Sequence, residues 1–308
     1  MNASSSGKAR RITALATVGL LAMTAVWGST FVLIKDVVAR MPVADFLAVR
    51  FTIAAAAMLL LFAGHVWRLG RQQIMRGLLL GGIYGAGQLL QTWGLALIAP
   101  SVSGFVTGMY VVFTPILAML LLRQRMAGIV WLAVLLSTAG LALLSLNGIS
   151  VDTGVWLTLA SAALYGLHIV GLGQWSRPGE AFGLSAVQMV AIAVVCLLAT
   201  APHGGPLLPP DRSAWFAVLY MALIAGAGAM LMQTWAQAHL PAARAAIVMT
   251  TEPVFAAAFA VALGSDVLTW RMLVGGALVL AAMYLVELMP RRGEAALELS
   301  AEAFHHEV

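Results

Sequence analysis

Ten nearly unbroken runs of Leu, Ala, Val, Ile, Met and Gly divide the chain, at roughly residues 12–34, 43–64, 75–97, 100–122, 127–146, 154–173, 183–201, 214–236, 241–263 and 272–288. Each is close to the roughly 20 residues that cross a hydrocarbon core as a helix. Only helices and closed barrels satisfy every backbone group in that medium, and runs this long and continuous read as helices. The connections are short, so no soluble domain fits between them. The pattern predicts an all-α membrane protein of ten transmembrane helices.

The same pattern is duplicated. Gln91-Thr92-Trp93 returns 142 residues later as Gln233-Thr234-Trp235, and Val112-Phe113 returns as Val254-Phe255. Upstream the offset is 138, pairing Trp27-Gly28 with Tyr165-Gly166 and Ala48-Val49-Arg50 with Ala186-Val187-Gln188. The second copy therefore holds about four extra residues between Pro202 and Asp211. Residues 12–146 and 154–288 form the two repeats, they meet at the polar stretch Asn147 to Thr153, and 289–308 is a tail. Five spans per copy is an odd number, so the copies enter the membrane with opposite orientations. Inverted repeats of this kind predict alternating access around a site at the bilayer midplane.

With 62% hydrophobic and 9% charged residues, the composition excludes an ordinary soluble globule. The net charge of +5 is a matter of topology rather than of nucleic-acid binding. Eleven Lys and Arg fall in segments expected inside, among them Arg68, Arg71, Arg76, Arg123 and Arg177, against Lys35, Arg40, Arg212 and Arg271 outside. That bias puts both termini in the cytoplasm. The first apolar run exceeds a signal-peptide core and is expected to be retained. The lone Cys196 excludes an intrachain disulfide. No metal site or cofactor is expected, and the tail with His305-His306 reads as a solvated segment.

Polar and aromatic residues inside the spans fall on stripes. Tyr84, Gln88 and Gln91 share one face of span 3; Ser103, Thr107, Tyr110 and Thr114 share one of span 4; Ser161, Tyr165 and His168 share one of span 6. Trp27 and Thr30 stand at the positions homologous to Tyr165 and His168. Spans 5 and 10 lack such stripes and are expected at the periphery or at a dimer contact. The stripes either join helices by hydrogen bonds or line a wet cavity. Tyr, Gln and His at the inner positions favour the cavity. Gly81 with Gly85, and Gly104 with Gly108, read as close helix contacts rather than phosphate loops.

Three ionisable groups lie within spans: Arg50, Arg244 and Glu252. Arg244 is close enough to a span end to snorkel. Arg50 is two turns deep, and its mate Gln188 suggests a donor at that place in both halves. Glu252 and its mate Tyr110 fall at the middle of spans 9 and 4. A carboxyl at that depth can hold and release a proton or answer a substrate ammonium, or it can be a structural hydrogen-bonding group beside the Pro253 kink. Arg50, Gln188 and Glu252 are thus the candidates for proton coupling or gating.

Trp27-Gly28-Ser29-Thr30-Phe31, Arg50-Phe51 and Glu252-Pro253-Val254-Phe255-Ala256 carry a resemblance, over about residues 15–288, to the drug/metabolite transporter superfamily and its ten-helix branch with two EamA-type repeats. The resemblance implies a bacterial inner-membrane carrier, similar to exporters of amino acids including aromatic ones. Two features depart from the family pattern: its Gly-Glu after helices four and nine reads Arg123-Gln124 and Ser265-Asp266 here, and the first repeat has Tyr110-Val111 in place of Glu-Pro.

The expectation is therefore an exporter of amino acids and similar small metabolites, as monomer or homodimer. Trp27, Tyr84, Gln88, Gln91, Tyr110, Tyr165, His168 and Glu252 are its substrate-binding residues. The alternative is a proton-coupled multidrug or cation efflux carrier. No paired acids and no nucleophile beside a base occur within the spans, which argues against an enzyme.

Overall fold

The computed structural model describes residues 3–123, 128–145, 152–240, 245, 248–249 and 251–287. Its helices are α1 (Ala3–Val38), α2 (Val43–Val66), α3 (Arg71–Leu97), α4 (Pro100–Thr107), α5 (Tyr110–Leu122), α6 (Gly128–Ser145), α7 (Thr153–Trp175), α8 (Ala181–Thr200), α9 (Arg212–Ala222), α10 (Ala229–Gln237), α11 (Glu252–Ala262) and α12 (Trp270–Glu287). Six segments are long and apolar enough to cross a membrane unaided: 11–38, 43–66, 100–122, 153–175, 181–200 and 212–237. The polar residues of α3 keep it out of that group, and shorter apolar stretches lie in α6, α11 and α12. Arg244 and the tail fall outside the described residues.

Two spans expected to be continuous helices are interrupted. Span 4 is α4 followed by α5, with a turn at Gly108 and Met109. There the amides of Met109, Val111 and Val112 bond the carbonyls three residues back, at 3.1, 3.1 and 2.9 Å, a tightening of the 3₁₀ type. Thr251, the mate of Met109, is also a turn residue, and Val254 donates to its carbonyl at 3.1 Å. Span 8 is α9 and α10 joined by a π-helical stretch, Leu223–Gly228.

Contacts between repeat mates demonstrate the inversion. The end of α2 meets the beginning of α8, its mate: Phe62 stacks on Phe182 with centroids 5.1 Å apart, and Gly183 rests on the His65 carbonyl. The mates α6 and α12 also run antiparallel, with Gly140 against Gly275 and Arg271 donating to the Leu143 carbonyl at 2.9 Å. Gly28 of α1 packs on Phe255 and Ala256 of α11, while its mate Gly166 of α7 packs on Phe113 and Thr114 of α5. These are the same contact with the halves exchanged, as a twofold rotation produces. Gly81 and Gly85 lie against α8, and Gly104 and Gly108 against Ala256 and Pro253, close approaches that a side chain on glycine would obstruct. Leu60, Leu61, Leu135, Phe216 and Leu273 point outward, as lipid contact requires.

Polar side chains finish the helix ends. Lys35 donates to the carbonyls of Leu95, Ala96 and Ile98, each at 2.9 Å, satisfying orphan acceptors at the end of α3. Nearby, the Ser101 amide donates to Asp266 at 3.0 Å. Asp211 caps α9 by accepting from the Ala214 amide at 2.9 Å and also pairs with Arg40 at 2.6 Å. That amide, together with the Arg40 guanidinium, holds the Asp211 carboxyl below the usual aspartate range. At the opposite mouth Gln73 bonds Glu180 and donates to the Trp175 carbonyl at 2.9 Å.

Arg123, where the family pattern has glycine, closes α5 in the left-handed region at φ 54°. Gly264, just past α11, turns at φ 73° without that strain. Arg123→Gly is expected to stabilise the protein by about 0.5 kcal/mol, the relief of strain less the entropy glycine adds to the unfolded chain. An unchanged or lower Tm in detergent would show that the arginine side chain offsets the strain.

Candidate functional site

The halves meet around a cavity whose empty space, its open mouth included, is about 530 Å³. Trp27 of α1, Arg50 of α2, Tyr84, Gln88 and Gln91 of α3, Tyr110 of α5, Tyr165 and His168 of α7, and Glu252 of α11 all face it. Of the expected residues only Gln188 stands outside the wall, directly behind His168. Thr30 and Thr107 from the polar stripes also line the cavity, whereas Ser103, Thr114 and Ser161 are buried between helices. Thr114 bonds its own helix through the Tyr110 carbonyl at 2.6 Å.

One wall is a locked polar chain. Gln88 donates to the Tyr165 hydroxyl at 2.6 Å, that hydroxyl donates to Gln91 at 2.8 Å, and Gln91 donates to Thr107 at 3.0 Å. The Tyr84 ring fills the angle between Tyr165 and His168, with centroids 5.1 and 4.9 Å away. These rings form an apolar surface with polar rims, suited to a flat or aliphatic group.

The π-helical stretch organises the opposite wall. Widening the helix by one residue shifts its carbonyls out of the usual register. The Trp27 indole donates to the Ala225 carbonyl at 2.7 Å, and Arg50 Nε donates to the Met221 carbonyl at 3.2 Å. Arg50 also lies over the Phe51 ring at 4.8 Å, which anchors the guanidinium while leaving its Nη1 without a hydrogen-bond partner. Gln188, the mate of Arg50, donates to the Leu184 carbonyl and the Thr234 hydroxyl at 3.3 and 3.4 Å. The position thus holds a donor in both halves.

Tyr110 and Glu252 are repeat mates and touch each other, the Tyr110 hydroxyl donating to the carboxyl at a loose 3.4 Å. Mates in contact mark the pseudo-twofold axis. Neither Arg50 nor Glu252 belongs to an ion pair among the described residues.

Five lining residues were not expected: Phe31, Ile34, Ile169, Gln233 and Met249. Four are apolar and look like any lipid-facing or core residue. Gln233 had a signal, since it is the repeat mate of Gln91.

An aromatic and amide-walled cavity on the axis between inverted membrane repeats defines a membrane carrier. The family model of the EamA-like transporter family matches residues 14–146 and 152–288, and the chain belongs to that family, within the drug/metabolite transporter superfamily. It is a multi-pass membrane transporter. An uncharacterized transporter of Archaeoglobus fulgidus is 29% identical over 277 residues, which are 89% of this chain and 86% of that one. A crystal structure superposes with a TM-score of 0.68 at 20% identity, covering 91% of this chain and 99% of that one, and shows the fold alone.

Proposed function

We propose that this carrier exports amino acids, including large apolar and aromatic ones, by rocking its halves around the axial cavity. The observation that supports this most directly is a guanidinium edge without a hydrogen-bond partner and a carboxyl held only by a loose 3.4 Å bond, both on one aromatic-walled chamber. Nη1 of Arg50 suits a carboxylate, Glu252 suits an ammonium, and Tyr84, Tyr165 and Trp27 suit the side chain. A few such bonds, each contributing on the order of 1 kcal/mol net, hold a solute loosely enough to leave. The excess of Lys and Arg at one end of the spans supports an inner-membrane location with both termini in the cytoplasm.

The test is uptake of a labelled amino-acid panel and the matching decarboxylated amines into proteoliposomes, with and without a pH gradient. Arg50→Gln is expected to lower amino-acid uptake by about tenfold or more, the loss of one charge-assisted bond, and to spare the amines. Native protein that moves the amines and organic cations but no amino acid would instead establish the cation-efflux reading. Equal loss for both solute classes would remove Arg50 from the carboxylate role.

A further inference from the structure

Two buried acceptors in the cavity wall have their polarity set by hydrogen-bond chains that end on backbone carbonyls. The first chain starts at the Leu184 carbonyl, which only accepts, so the Gln188 amide must turn its NH2 toward it and toward Thr234. Gln188 Oε1 then faces His168 Nε2 at 2.8 Å, and that nitrogen must carry the hydrogen. His168 is fully buried beside an amide and an aromatic ring, with no acid among its partners. In the neutral ring Nδ1 is left as a bare lone pair, and it has no partner among the described residues.

The second chain repeats the logic. The Ile169 carbonyl takes a hydrogen bond from Gln237 Nε2 at 3.0 Å, which turns Gln237 Oε1 toward Gln233 Nε2 at 3.1 Å. Gln233 Oε1 is therefore left bare, and it too is buried without a partner. His168 and Ile169 are consecutive on α7, so this bond holds the Gln233–Gln237 face of α10 against the stretch of α7 that carries His168. Both His168 and Gln233 line the cavity.

A buried acceptor left unmade costs free energy that a ligand donor recovers, and a site built this way discriminates against analogues lacking the donor. We propose that His168 Nδ1 and Gln233 Oε1 form a subsite that reads a hydrogen-bond donor on the solute's side chain, a hydroxyl or an indole or amide N–H. Resting on the exporter reading above, this narrows its substrate class to amphipathic solutes whose apolar body carries a terminal donor. Gln188 and Gln237 are positioning residues that hold the acceptors in that polarity.

The test is uptake of two matched pairs by the reconstituted full-length protein, tyrosine against phenylalanine and tyramine against phenethylamine. Native protein is expected to favour the hydroxylated member of a transported pair by about tenfold in kcat/KM. In Gln233→Leu, and separately in His168→Phe, the ratio is expected to fall to about twofold or less, whatever the absolute rates. Each variant is first checked for a single monodisperse peak in detergent. Should neither variant fold, the ratio in native protein decides. Equal uptake within both pairs overturns the subsite and leaves the amino-acid reading standing, as does a native preference that survives in both variants. Hydroxyl preference confined to the amines sustains the subsite and removes the amino-acid reading. If no member of either pair is moved, both fall.

Discussion

Proteoliposomes carrying Glu252→Gln are expected to take up amino acids about tenfold more slowly than native protein at subsaturating solute. The substitution keeps size and one acceptor but deletes the only carboxyl on the cavity wall among the described residues. A hydrogen bond between carboxylate and ammonium contributes about 1.4 kcal/mol beyond its neutral counterpart, which is about a tenfold change. Tyr110→Phe serves as the comparison. Its hydroxyl lies 3.4 Å from Glu252, too long for a strong bond, so its loss is expected to change uptake by less than about threefold. A Glu252→Gln carrier as fast as native, with tyrosine and tryptophan binding unaltered, would remove the carboxyl from the site.

The second large effect is on folding. Gly28→Ala is expected to destabilise the protein by about 3 kcal/mol and to lower the monodisperse yield sharply, because its Cβ would stand 2.5 Å from Phe255 Cβ and 2.7 Å from the Ala256 amide nitrogen. The backbone of α11 cannot yield as a flexible side chain would, so α1 must move away from it. The mate is a built-in control. At Gly166 the nearest atoms are Phe113 Cβ at 3.0 Å and the Thr114 nitrogen at 3.1 Å, and Gly166→Ala is expected to cost only about 1 kcal/mol. Thermal unfolding of the two variants in the same detergent reads the difference. Equal Tm values for Gly28→Ala and native protein would mean that the contact is looser than these distances imply.

Much of this was readable in the residues because lipid is an intolerant solvent. It leaves polar and charged side chains few places to be, so Tyr84, Gln88, Gln91, His168 and Glu252 announced an interior face. The apolar part of the same wall was silent. Phe31, Ile34 and Met249 face the cavity, yet nothing in their chemistry separates them from residues that face lipid. The bend between α4 and α5 was equally hidden, since the first repeat has Val111 where the second has Pro253. Its cause is partly in the other half: the bare face of Gly108 lies against the Pro253 ring, where a Cβ would come within 2.7 Å of the ring's Cγ. The π-helical stretch at Leu223–Gly228 also left no mark, being apolar and small throughout.

Composition, span length and the duplicated pattern sufficed for ten crossings and for inverted copies, since each follows from hydropathy and from counting along one chain. Cavity shape, the freedom of Arg50 Nη1 and the bonds of Gln188 to Thr234 and of Gln237 to Ile169 depend on atoms more than forty residues apart meeting within 3.5 Å. A glutamine in a string of letters is donor and acceptor alike; the Leu184 and Ile169 carbonyls turn Gln188 and Gln237 one way and leave His168 Nδ1 and Gln233 Oε1 as lone pairs without a partner among the described residues.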